Sequence, residues 1–323
     1  MPGDETKEQH FVHRAYLEGF VDPTLKPVEF LWAYMPNKNP FKQAPFKIAR
    51  RNYYYCHEEE GKRLFTGELG LSQLETIASP LLKRLRDRQF ELTADERMTF
   101  AGYIATAHCR VPTFERRINS LYGFMEAKRL EFIIQNPGTL QRIAARLSAK
   151  GDKTTAEELK AKLTGGSVVI TQNNRGWSVK KMFETMLFLQ ELIYHMNWSF
   201  LLAAEGDPGF LTTDNPVSVF DPSSRFAAFQ SSPDAHFLFP ISRAVCLLGT
   251  HHLQANQNAS AYQVRQVNSL LIERSDTQVY APFRAEGVQR LLNKHCASAH
   301  DTRIVLSKGV AKSEPVAKVK PNT

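Results

Sequence analysis

The chain has 323 residues, of which 42% are hydrophobic and 11% aromatic; this excludes a disordered body and leaves ample apolar surface for a large core. A formal net charge of +8 favours an anionic ligand or nucleic acid as partner. Part of that charge lies in Lys308, Lys312, Lys318 and Lys320, in an aperiodic stretch that is expected to be a disordered basic tail over 307–323. Cys56, Cys109, Cys246 and Cys296 stand far apart without a CxxC pair, which argues against a disulfide scaffold. The opening MPGDETKEQHFVHR lacks the apolar core of a signal peptide, so a cytoplasmic protein is expected.

In chain order, a helix-like stretch runs from His10 to Phe20, and Pro23 and Pro27 forbid its continuation. Two strand-like runs follow, Val28 to Tyr34 and Phe46 to Cys56, suited to a hairpin or a pair of edge strands. The period then changes to 3.6. Leu71, Leu74, Ile77, Ala78, Leu81, Leu82 and Leu85 mark one face of a helix that Pro80 should kink. Thr93 and Glu96 form a capping box opening the next helix, which ends near Cys109, and Val111-Pro112 separates it from another. The basic run Lys83-Arg84-Arg86-Arg88 reads as a solvated helix face.

Residues 137–176 are polar and aperiodic, as a loop or insertion would be. The most apolar segment, Trp177 to Ala204, carries charges too frequent for a bilayer and reads as one long core helix; no membrane association is expected. After Pro208 the texture is β-like, with runs at Phe210–Thr213, Val217–Phe220, Phe237–Ile241 and Val245–Gly249, then a helix over Ser260–Arg274, a strand near Val279 and a helix over Phe283–Lys294. The fold class expected is α+β: helix-rich, with a mainly antiparallel sheet from N- and C-terminal strands around a central helical region, in one compact domain over 1–306.

Three places could carry chemistry. A helical turn would set His10 beside Arg14, whose positive charge favours a neutral imidazole. Asp214 and Asn215 sit where a strand ends, with Pro216 keeping Asn215 extended; they could bind metal, orient a histidine, or close a hairpin as an Asx-turn. Arg110 lies at a helix end, and Glu68 and Glu75 are two helical turns apart, on one face. Glu191 and His195 are half of a zinc helix without its second histidine. No Walker loop, GxGxxG or GxSxG elbow is present, and the sequence leaves the cofactor unknown.

The ordered strings His10-x-Val12-x-Arg14-x-Tyr16-Leu17-x-x-Phe20, Asn52-Tyr53-Tyr54, Glu68 with Leu74-Glu75, Arg110-Val111-Pro112-x-Phe114, Thr213-Asp214-Asn215-Pro216-Val217 and Phe239-Pro240-Ile241-Ser242 resemble the bacterial domain-of-unknown-function family four-two-three-eight. His13 is a departure, since members of that family typically carry proline after the valine. The resemblance implies no activity; it marks His10, Arg14, Asn52, Glu75, Arg110, Asp214 and Asn215 as the polar positions the pattern requires. Two functions compete on this reading. One is an enzyme acting on a phosphate-bearing substrate or nucleic acid, hydrolase- or nuclease-like, with His10 and Glu75 or Asp214 as acid/base or metal-ligand groups and Arg14 and Arg110 neutralising charge. The other is a non-catalytic binding module in which these residues form a structural network.

Overall fold

A computed structural model of the protein describes residues 8–22, 29–59, 62–64, 66–165, 167–170, 175–221, 234–298, 302–307 and 310–315. In chain order the elements are β1 (Glu8–His10), α1 (Arg14–Leu17), β2 (Leu31–Tyr34), β3 (Phe41–Gln43), β4 (Arg50–Asn52), β5 (His57–Glu59), β6 (Lys62–Leu64), α2 (Thr66–Arg86), α3 (Ala94–Cys109) and α4 (Pro112–Gln135). Then come α5 (Pro137–Ser148), α6 (Ala156–Thr164), β7 (Ser167–Ile170), α7 (Arg175–His195), β8 (Asn197–Ala203), β9 (Thr212–Thr213), β10 (Ser218–Phe220), β11 (His236–Ser242) and β12 (Val245–Thr250). The chain closes with β13 (Gln257–Ala259), α8 (Ala261–Arg274), β14 (Val279–Ala281), α9 (Glu286–Ser298), β15 (Thr302–Ser307) and β16 (Val310–Pro315). The protein is α+β with mostly antiparallel pairing, as its sequence predicts; among the described residues the β13–β8 pair is parallel. No helix of the described residues is long and apolar enough to cross a membrane.

The chain divides into two compact units, Met1–Glu115 with Arg175–Ser298 and Arg116–Asn174 with Ala299–Thr323. The polar stretch 137–176, read as a loop or insertion, carries α5, α6 and β7 and lies mostly within the second unit, which interrupts the first between Glu115 and Arg175. Its helices start on local signals, Pro137 in the first turn of α5 and a capping box between Thr155 and Glu158 at α6. The tail is also corrected in part, since Val310–Pro315 pairs along β15 as β16; Lys308, Lys318 and Lys320 lie outside the described residues.

In the first unit, α3 is buried on nearly every side, from Phe100 through Ala107, because its Ala and Gly positions let neighbours approach closely. Gln190 of α7 crosses over Gly102 and donates to the Met98 carbonyl at 3.1 Å. Tyr16 stacks on Phe239 of β11, with ring centroids 5.1 Å apart, and its hydroxyl meets Thr212 Oγ1 at 2.7 Å. Each such aromatic, fully withdrawn from water, contributes about 1.5–3 kcal/mol.

The core helix read over Trp177–Ala204 ends at His195, and its remainder is β8, which lies between β12 and β13. A continuous apolar run suits a buried helix and a strand flanked on both edges equally well, so the turn at Met196 has no sequence signature. The helix read from His10 shrinks to α1 and a 3-10 turn over Glu18–Phe20, because His10 is extended in β1 opposite Arg50. The hairpin expected from the two early runs does not form: β2 pairs with β3 and β14, and β4 pairs with β1.

The basic run at the end of α2 is not a simple solvated face. Arg84 pairs with Glu96 and donates to the Glu91 carbonyl, while Arg86 donates to the carbonyls of Ala15, Tyr16 and Ile241 at 2.8, 2.9 and 3.1 Å. Gly209 is held at φ +84°, and a Cβ there would lie 2.2 Å from the Arg243 carbonyl oxygen. Gly209→Ala is therefore expected to lower stability by about 2 kcal/mol or more, read as a fall in the urea unfolding midpoint at unchanged slope.

Candidate functional site

Glu75 lies in the middle of α2, and Arg110 closes α3 at φ −82°, ψ 0°. Arg110 Nη1 donates to Glu75 Oε1; the arginine side chain is 2% exposed and the glutamate 23%. His13 is the residue before α1 but does not cap it. Its ring instead bridges α3 and α2, with Nδ1 3.0 Å from the Tyr103 hydroxyl and Nε2 3.7 Å from Glu75 Oε2. One turn of α2 earlier than Leu71, Glu68 accepts from Gln9 Nε2 at 2.7 Å, and Gln9 Oε1 accepts the Tyr55 N–H at 2.7 Å. Glu68 and Glu75 thus share one face of α2 and both turn toward the segment Gln9–His13, as their spacing predicts.

His10 ends β1, its carbonyl accepting from the Tyr55 hydroxyl at 3.0 Å. Its Nε2 is buried without a hydrogen-bond partner, and so is Arg110 Nε. Burial first, then the Arg110 charge, lowers the His10 pKa, against a backbone hydrogen bond at Phe46. Burial likewise takes His13 down to about 4, only partly opposed by Glu75. For Glu75, burial works toward the neutral acid, but the Arg110 guanidinium, with His13, outweighs it and holds the carboxyl below its ordinary value. At neutral pH the cluster is therefore one carboxylate, one guanidinium and two neutral imidazoles, so the His13–Glu75 approach is a polar contact rather than an ion pair.

The other expected positions are placed elsewhere. Arg14 is not a partner of His10: an extended β1 points the chain away from helical i,i+4 geometry, and Arg14, 62% exposed, pairs with Glu18 at 3.1 Å. Asn52 is exposed on β4. Asp214 is buried and spent on the main chain, Oδ1 accepting from the Asp276 N–H at 2.8 Å and Oδ2 from those of Thr277 and Gln278 at 2.8 and 2.9 Å. Burial, with the Asp276 charge, pushes its pKa up to about 7 against those bonds. Asn215 donates to the Arg274 carbonyl at 2.8 Å, tying β9 to the end of α8. Among the described residues no hydrogen bond or ion pair joins Asp214 or Asn215 to His10, Glu75 or Arg110. Glu191 and His195 meet at 2.9 Å on an exposed face, and no three His, Cys, Asp or Glu side chains of the described residues converge as metal ligands.

Sequence reasoning missed His13, Tyr103 and Gln9. The signal for His13 was present, a histidine replacing the family's usual proline three residues after His10, but its partners come from α2 and α3 and are visible only in the fold.

A family model described as Protein of unknown function (DUF4238) matches residues 8–283. No curated protein and no solved structure matches the chain.

Asp214→Ala removes a buried carboxylate that accepts from three main-chain N–H groups, those of Asp276, Thr277 and Gln278, and is expected to cost about 3 kcal/mol in urea unfolding. His13 gives a pH signature. Its unfolded imidazole takes up a proton near 6.5 and the folded one only near 4, so the stability it contributes is intact above 6.5 and is lost as pH falls toward 4. Between pH 7 and pH 4 the wild type should lose about 3 kcal/mol that His13→Gln does not lose, measured by urea unfolding of both proteins at each pH.

Proposed function

The chain belongs to the DUF4238 family of proteins of unknown function, so its chemistry must be sought in the cluster itself, and we propose that His10, His13, Glu75 and Arg110 form the acid–base site of an enzyme acting on a phosphate-bearing substrate, hydrolase- or nuclease-like. The observation that carries this reading is the pair of buried, unpartnered nitrogens, His10 Nε2 and Arg110 Nε, beside an ionised carboxylate. Buried polar atoms are ordinarily paired, so on this reading the two nitrogens take their partners from the substrate. On this reading neutral His10 takes a proton from the attacking water and returns it to the leaving oxygen, while Arg110 Nε–H donates to a phosphoryl oxygen. Glu75 holds the guanidinium in place and Tyr103 orients His13. The partly exposed Glu75 and His13 side chains give the approach, at 23% and 13% exposure.

The competing reading, a binding module with a structural network, draws on the depth of Arg110. The test is turnover of bis-p-nitrophenyl phosphate, p-nitrophenyl phosphate and single-stranded nucleic acid by the wild type and His10→Ala. At least about a hundredfold loss of turnover in a variant whose unfolding midpoint is unchanged is expected. A wild type that turns over none of these, with His10→Ala markedly less stable, would make the network structural.

A further inference from the structure

The positive charge of the chain is divided unevenly between its two units. The second, Arg116–Asn174 with Ala299–Thr323, has fifteen Lys and Arg against seven Asp and Glu, which is the whole +8; the first has as many acids as bases. All ten Lys and Arg over 116–165 are exposed. On α4 that charge is partly answered from within the helix, since Lys128 pairs with Glu131 at 2.9 Å and Arg129 with Glu126 at 2.8 Å. On α5 it is not, because no acidic residue occurs from Phe132 to Gly151.

The inner face of α5 is Leu140, Ile143, Ala144 and Leu147; the exposed face carries Arg142 and Arg146, and Lys150 follows at the same spacing just past the helix. Four residues of helix rise about 6 Å, so the three cations form a row about 12 Å long. Arg142 donates to the Gly138 carbonyl at 3.3 Å and to Thr139 Oγ1 at 3.2 Å, and among the described residues none of the three forms an ion pair. Three carboxylates follow at the start of α6, where Asp152 accepts from Thr154, Glu158 closes the capping box and Glu157 is exposed; over 137–165 six cations outnumber them.

What the row lacks selects its partner. No aromatic residue occurs from Ile133 to Gly176, and no large apolar side chain of α5 or α6 is exposed. A helix lying in a membrane surface needs apolar side chains to insert, and a protein interface needs apolar or aromatic anchors. A single strand needs aromatic platforms on which its bases stack. Cations alone suit a partner held through phosphates alone, the backbone of a nucleic-acid duplex.

We propose that the α5 face of the second unit docks on the phosphate backbone of double-stranded nucleic acid without reading its sequence, through Arg142, Arg146 and Lys150. The surface does not depend on the chemistry of the His10 cluster: His10→Ala binds duplex as the wild type does, so loss of turnover and loss of binding are read separately. Fluorescence anisotropy of the full chain titrated onto labelled duplex DNA and duplex RNA of mixed sequence tests it, against the single strands and phosphatidylserine vesicles. Saturable duplex binding is expected, tighter than to either alternative and weakening at least tenfold between about 50 and 200 mM salt, as three phosphate contacts require. Arg142→Glu with Arg146→Glu weakens it at least tenfold, while Lys180→Glu with Lys181→Glu on α7, the same charge change in the first unit, leaves it unchanged. The proposal is overturned if neither duplex saturates, if single strands or vesicles bind as tightly, if the α5 variant binds as the wild type does, or if the α7 variant loses as much. Arg142→Gln with Arg146→Gln removes the charge without setting carboxylates near the helix C-terminus, so the test stays decisive if the Glu pair does not fold; unchanged duplex binding there also overturns it.

Discussion

The half-buried guanidinium of Arg86 is the constraint on which the placement of the cluster depends. It reaches from the last turn of α2 to the carbonyls of Ala15 and Tyr16 in α1 and of Ile241 in β11, so that three elements from distant parts of the chain share one cation. Burial works against its charge, and the three carbonyl dipoles repay part of that cost as charge-assisted hydrogen bonds. The close packing leaves no room for a side chain at position 19, where a Cβ would sit 2.7 Å from both Arg86 Nη2 and the Ile241 oxygen. With α1 locked onto α2, the residue just before it, His13, is delivered to Glu75.

Two arginines besides Arg86, half-buried Arg97 and buried Arg110, show where part of the basic composition goes. Arg97 donates to the carbonyls of Tyr194 and Met196 at the end of α7, with its guanidinium 4.1 Å from the Trp198 ring centroid, and Arg110 pairs with Glu75 through Nη1. These cations close main-chain acceptors that a helix end leaves open, or neutralise a half-buried acid. The net charge is therefore a weaker guide to a phosphate-binding surface than the sum alone implies.

The polar residues of the family pattern separate into two physical kinds. Asp214 and Asn215 have closed hydrogen-bond shells made of backbone, the signature of groups that hold a chain reversal in place. His10 and Arg110 keep a buried nitrogen unsatisfied, a state that costs free energy unless something else pairs with it. Spacing in a sequence pattern cannot tell the two kinds apart, because both require a polar residue at a fixed place.

The sequence by itself determined the elements whose signal is local. The 3.6-residue period of α2, the Thr93 capping box, the Ser260 start of α8 and the common face of Glu68 and Glu75 all follow from neighbours within a few residues, and the structure has them. Tertiary structure decided whatever rests on partners far along the chain. Asn197–Ala203 became a strand because β12 and β13 flank it, and His10 became extended because Arg50 lies opposite. His13 joined the cluster because Tyr103 and Glu75 converge on it from two helices, which no spacing along the chain encodes.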